Sequence, residues 1–288
     1  MNREKSGFTL VELLITIAII ATLVGLLIPT LSVVRQTAKE AKQKAQLTTI
    51  ELAIVAFKND YGDYPPSYAN SDVPYLGGPD DYCGAQKLAE ALVGWDLLGF
   101  HPKSAWSAKG LDAAGGPLTY DPLKKRDDNK DGIPDTLNER KGPYLELATA
   151  SAFKTKEIIG LGATSPETYV LCDVFGRKSV TVGTKVVKAG TPILYYKADT
   201  SGKLIRNIYK LFDNDSLIYI KELEDQKKHP GLRPPLNPLC DASSFISYIK
   251  DPKITARDWP YRPDSYILIS AGADGFYGTE DDIRNFGY

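Results

Sequence analysis

Histidine, cysteine and methionine are scarce in this chain: two, three and one of 288 residues. His101 and His229 lie far apart in proline-containing, loop-like sequence, so neither belongs to a metal-ligand spacing or a triad pattern. No H-E-x-x-H, G-x-S-x-G, phosphate-loop or paired-cysteine zinc motif is present. No catalytic constellation emerges, and the chain reads as something other than an enzyme. Cys83, Cys172 and Cys240 are odd in number, so they form at most one internal bridge; burial as small apolar residues accounts for them as well. A net charge of −1 exerts no global pull toward nucleic acid, and no basic patch stands out after residue 60.

What is present is concentrated at the start. A short leader with Arg3 and Lys5 ends at Gly7, and a largely apolar run extends from Phe8 to Ile28, with Glu12 as its one charged residue. Twenty or so apolar residues suffice to cross a bilayer as a helix. The preceding basic residues place the leader in the cytoplasm and the C-terminal mass outside. An ionisable side chain inside such a run is expensive and marks a function. Cleavage after Gly7 gives Phe8 a free amine, which a helix brings near Glu12 of the same chain or of a neighbour.

The string KSG-FTLVELLITIAII, followed by Pro29, resembles the signal of type IV pilins and of the pseudopilins of type II secretion. An ordinary secretory signal is cut after its apolar region, not before it. The resemblance implies a prepilin peptidase that cuts between Gly7 and Phe8 and methylates Phe8. It also implies assembly through Glu12 and the helix, a kink or local melting at Pro29, and a pilin fold. That fold is α+β: a long N-terminal helix packed on an antiparallel sheet.

Beyond Pro29 the apolar positions Leu31, Val34, Ala38, Ala41 and Ala45, then Leu47, Ile50, Ile54 and Phe57, recur by three and four, the period of an amphipathic helix. A helix from Phe8 to Asn59 is roughly 75 Å long at about 1.5 Å per residue. We expect its first half to enter a filament core and its second half to cover its own domain. Gly62, Pro65 and Pro66 end it. The organisation expected is a leader at 1–7, a transmembrane helix at 8–30 and its amphipathic continuation at 31–60. A variable insertion at 61–141 and a β-sheet region at 142–288 complete it. Within the insertion one helix is expected at Cys83–Leu98. Strands are expected at Thr168–Asp173, Lys178–Lys188, Ile193–Lys197, Lys203–Leu211, Leu217–Lys221 and Tyr266–Ala271. A polar excursion over 222–262 carries a short helix near Ser243–Lys250.

Two acidic strings suit hard cations. In SAGADGFYGTEDD, Asp274, Glu280, Asp281 and Asp282 crowd a loop with Gly272, Gly275 and Gly278. Carboxylates and carbonyls on such a loop suit Ca²⁺, which takes six to eight oxygens. The string also resembles the calcium loop of the G-type major pseudopilin. On that resemblance Asp274, Asp281 and Asp282 are side-chain ligands, carbonyls near Ile269–Ala271 complete the shell, and Glu280 is a bystander. In the insertion, Asp127, Asn129, Asp131, Gly132 and Asp135 fit the first part of an EF-hand-type loop. Asn138 stands in the twelfth position in place of the bidentate Glu, so the string is closer to the calcium loops of thrombospondin-type or dockerin repeats. A bare polar turn is the alternative.

The resemblance favours a structural subunit of a periplasmic pseudopilus. It would be a single-pass inner-membrane protein with a periplasmic C-terminal domain. Its partners would be copies of itself, other pseudopilins, inner-membrane assembly proteins and the peptidase, with no nucleic acid. The alternatives are a surface type IV pilin and a membrane-anchored calcium- or ligand-binding module.

Overall fold

The computed structural model describes residues 9–68, 81–111, 120, 135–159 and 165–287. The chain divides into two compact units, Met1–Ala41 and Lys42–Tyr288. In the first, helix α1 begins; it runs Leu10–Tyr61 and its assignment continues through Pro29 without local melting. The apolar side chains of its early turns, Leu10 to Ile28, are exposed.

In the second unit the remainder of α1 is one wall of a core. Leu47, Ile50, Ile54 and Phe57 are buried there, as their three-and-four spacing predicts. Two glutamines share that face. Gln43 Oε1 accepts from Val174 N at 2.9 Å, and Gln46 Nε2 donates to Cys172 O at 3.0 Å. Each thus meets a backbone group of the chain facing it with one end of its amide, while Gln43 Nε2 and Gln46 Oε1 are buried without a partner among the described residues.

Helix α2 (Gly84–Val93) is buried along its whole length. It packs against β2 and β5, introduced below, and its Leu88 and Leu92 meet α1 residues in one apolar cluster. It stops earlier than the sequence suggests because Gly94 takes φ +91, with its N–H bonded to Glu90 O at 2.9 Å. The segment expected to be an insertion therefore supplies core. Short helices α3 (Asp135–Asn138) and α4 (Leu147–Ala150) follow. Strand β1 (Ala152–Lys154) leads into α5 (Thr155–Ile158) and pairs antiparallel with β2 (Tyr169–Leu171).

Residues 178–188, expected as one strand, form a hairpin: β3 (Lys178–Val182) and β4 (Lys185–Ala189) turn at Gly183, φ +62. The main sheet has the order β5-β6-β7, all antiparallel, with β5 Leu194–Lys197, β6 Tyr266–Ser270 and β7 Ile283–Arg284. Central β6 is buried at every residue.

Two expected strands are helical. Lys203–Leu211 contains α6 (Ile205–Ile208), and its buried Ile205, Ile208 and Leu211 recur every three residues, a helical and not a strand spacing. Leu217–Lys221 lies inside α7 (Asp215–Lys228), where Lys221–Asp225 and Gln226–Glu222 pair at i,i+4. A short apolar run such as LIYI fits either period, and its flanks decide. Helix α8 (Ala242–Ile249) stands where expected, capped by Asp241, which accepts from Ser244 N at 2.9 Å. The fold is α+β: a long N-terminal helix with small antiparallel sheets.

Candidate functional site

The head of α1 is built by two side chains. Thr9 N donates to Glu12 Oε2 at 2.9 Å, Thr9 Oγ1 donates to the same oxygen at 2.8 Å, and Glu12 N donates to Thr9 Oγ1 at 3.2 Å. This is a reciprocal capping box, in which the N-cap hydroxyl and the N3 carboxylate satisfy donors that a helix start leaves open. The expected partner of Glu12 is the amine of Phe8; the partner found among the described residues is Thr9, and T-x-x-E ahead of an apolar run is the signature of such a box. Gly7 and Phe8 lie outside the described residues. Pro29 is placed within α1 by its backbone alone.

The acidic loop joins β6 to β7, whose register pairs Ile269 with Arg284 and Ser270 with Ile283. Gly272 takes φ +57, and a Cβ there would strike the backbone of Asp281, so the two arms of the loop touch. Asp274 N donates to Asp281 Oδ2 at 2.8 Å, Asp274 Oδ1 accepts from Phe276 N at 2.8 Å, and Asp281 Oδ1 accepts from Thr279 Oγ1 at 2.7 Å. Burial, together with the charge of Asp281, holds the Asp274 carboxyl above its ordinary range. Burial acts on Asp281 too, but the Thr279 hydroxyl and the Asp274 amide outweigh it and bring that group below its usual value. The two aspartates therefore sit in one electrostatic environment with opposite tendencies.

Asp282 is occupied differently. Its Oδ2 accepts from Tyr248 OH of α8 at 2.5 Å and from Gly278 N at 2.8 Å, while its Oδ1 is buried without a hydrogen-bond partner. Burial pushes this carboxyl up to about 7, against those two bonds. The loop is also pinned by groups the sequence did not single out. Asn237 Oδ1 accepts from Tyr277 N at 3.0 Å, Tyr277 OH donates to Pro192 O at 2.5 Å, and Arg177 Nη2 donates to Ala273 O. Nothing in the spacing of Asn237, Tyr248 or Arg177 foretold these contacts, because each comes from a distant segment.

The fit to a cation is partial. None of Asp274, Asp281 and Asp282 has a lysine, arginine or histidine as an ion-pair partner among the described residues. Asp274 and Asp281 face one another's groups, and Asp282 offers an unpartnered oxygen. Yet among the described residues no group of three or more acidic, histidine or cysteine side chains is already gathered to hold a metal. Asp127, Asn129 and Asp131 of the second acidic string lie outside the described residues, and Asp135 is placed only as the first backbone position of α3.

Residues 2–28 match the family model of the prokaryotic N-terminal methylation motif. No curated protein and no solved structure is matched. The motif is the signal of type IV pilin-like proteins, a structural and not an enzymatic family, and it implies processing by prepilin peptidase and polymerisation. One described helix, α1, is long and apolar enough to cross a membrane. The match spans the head of the chain and leaves the choice between pilus and pseudopilus open.

Proposed function

We propose that the chain is a structural subunit of a periplasmic pseudopilus of type II protein secretion, born as a single-pass inner-membrane protein and polymerised through α1. The observation that carries the filament reading is the methylation motif at the head of an apolar helix with one acid, Glu12. An apolar helix leaving the membrane needs another apolar environment, and like helices supply it. The C-terminal domain lies outside the cytoplasm, by the basic leader. The acidic β6–β7 loop favours the pseudopilus over a surface pilus.

Calcium is part of the proposal. Asp274 and Asp281 would hold the ion, with Asp282 Oδ1 and loop carbonyls as further oxygen donors. Bound there, Ca²⁺ would neutralise carboxylates that no basic side chain among the described residues pairs with. The chain's own residues do the positioning: Gly272 lets the loop arms meet, Thr279 orients Asp281, and Tyr248 holds Asp282.

Glu12 has two tasks in this reading, capping α1 in the subunit and meeting the Phe8 amine of a neighbour on assembly. Glu12→Gln keeps the capping box, since Gln serves at N3 as Glu does, but loses the charge; Glu12→Ala loses both. Both variants are expected to insert in the membrane and to form few filaments. Normal filaments from Glu12→Gln would remove the charge pairing from the account.

A further inference from the structure

A cavity of about 470 Å³ lies wholly within the Lys42–Tyr288 unit, where the chain after α1 meets the segment leaving β5 and the approach to β6. Its walls include Tyr64, Tyr68, Asp199, Lys210, Asp213 and Asp264. That volume is in the range of sites that hold small molecules. Asp213 stands in the 3-10 turn Leu211–Asp213 that leads into α7, and it is only 4% exposed. Because it lines the cavity, the little of it that is open is open there.

The carboxylate is held in one orientation. Its Oδ2 accepts from Ser67 Oγ at 2.5 Å, and that Oγ in turn accepts from Lys197 N at 2.9 Å. Its Oδ1 accepts no hydrogen bond from the described residues and, unlike Asp282 Oδ1, is not sealed from solvent. One oxygen tied and one open make an acceptor prepared for a donor. Burial pushes this carboxyl up to about 6, which still leaves it mostly ionised at neutral pH.

The surrounding charges select the donor. Lys197 is engaged by Asp63 at 2.5 Å, and Lys58 Nζ lies 4.0 Å from the centroid of the Tyr64 ring. Asp264, exposed at the rim, has no ion-pair partner among the described residues. Among those residues no three acidic, histidine or cysteine side chains are gathered to hold a metal, so a ligand that spans the cavity fits better than an ion. A guanidinium fork asks for both oxygens of a carboxylate, and Ser67 already holds one. An ammonium, a compact charge with three donors, needs only the other.

We infer that this cavity binds a small aliphatic diamine, with one ammonium on Asp213 Oδ1, its methylenes against Tyr64 and Tyr68, and its second ammonium drawn by Asp264. The site is independent of the filament and calcium readings. Lys210 is the wall cation that opposes such a ligand.

The test is calorimetric titration of the full chain in detergent micelles at pH 7.5 with 1,5-diaminopentane, and with 1,5-pentanediol as the uncharged control. The diamine is expected to bind with a Kd below ~1 mM and the diol not at all. Asp213→Asn keeps an acceptor for Ser67 but loses the charge, and should weaken diamine binding at least ~10-fold. Lys210→Met should tighten it, by up to about 5-fold. Thermal melts of both variants report their folding. Absence of diamine binding, equal affinity for the diol, or an affinity unchanged by Asp213→Asn overturns the site. Should Asp213→Asn fail to fold, Lys210→Met decides: tighter binding supports the site, and unchanged or weaker binding overturns it.

Discussion

The first 41 residues and the remaining 247 treat apolar side chains in opposite ways. From Leu10 to Val34, leucine, isoleucine and valine stand exposed; from Leu47 onward most are buried, many completely. The later unit solves its own solvation problem by closing a core around β6, with α1 and α2 on one side and the α7–α8 region contributing to the other. The earlier unit cannot, because a lone helix has no second layer. The difference teaches that stability and assembly are separately encoded, one in the domain and one in the exposed helix. A substitution in one region should leave the other's behaviour untouched.

Leu88→Ala is the strongest way to break that separation from the domain side. Leu88 is fully buried between α1 and the sheets, and its truncation is expected to cost about 2–5 kcal/mol, cavity included. Ile17→Ala removes a comparable side chain from the exposed helix and should leave the denaturation midpoint of the domain unmoved. Equal losses from both would collapse the comparison.

The next effect is electrostatic. Asp213, buried beside α7, accepts from Ser67 Oγ at 2.5 Å, and burial pushes its carboxyl up to about 6. The folded group holds its proton to a higher pH than the unfolded one. Folding is therefore least penalised below about pH 4, and stability falls as pH rises through about 6, by about 2–3 kcal/mol in all. Asp213→Asn keeps the acceptor for Ser67 and should flatten this part of the pH profile, raising stability at pH 8. A profile unchanged by the substitution would show that the carboxyl is already ionised at no cost. Asp173, also buried and pushed up to about 6, adds to the same window.

The smallest expected effect belongs to the acidic loop. A calcium concentration tenfold above Kd should stabilise the domain by about 1.4 kcal/mol, read as a shift of the thermal midpoint that a chelator reverses. Asp281→Asn should abolish the shift, because it removes one of the two facing carboxylates. An unchanged midpoint with and without chelator would take calcium out of the account.

Legibility followed the length of the pattern. The long helix, its buried stripe at Leu47, Ile50, Ile54 and Phe57, helix α8 and the β5 and β6 strands could be read from period and flanks. Short apolar runs could not: LIYI at 217–220 became part of α7, and the VTVGTKVV string folded back on itself at Gly183. The methylation motif at the head of the chain was legible because it is local, and residues 2–28 match its family model. The acidic loop was legible as a cluster of charges but not as a built loop. Its geometry depends on Tyr248, Asn237 and Arg177, which no spacing rule connects to it. The capping of α1 by Thr9 is written in the sequence as T-x-x-E ahead of an apolar run, and it gives Glu12 a local partner besides the Phe8 amine.

The N-terminus of the assembled protein carries the mark that processing and polymerisation would leave. Intact-mass and N-terminal peptide analysis of sheared filaments from cells expressing the full chain with a prepilin peptidase should find Phe8 as the first residue, carrying one methyl group on its amine. A chain that keeps residues 1–7, or that is cut beyond Ile28 and released without α1, would contradict it.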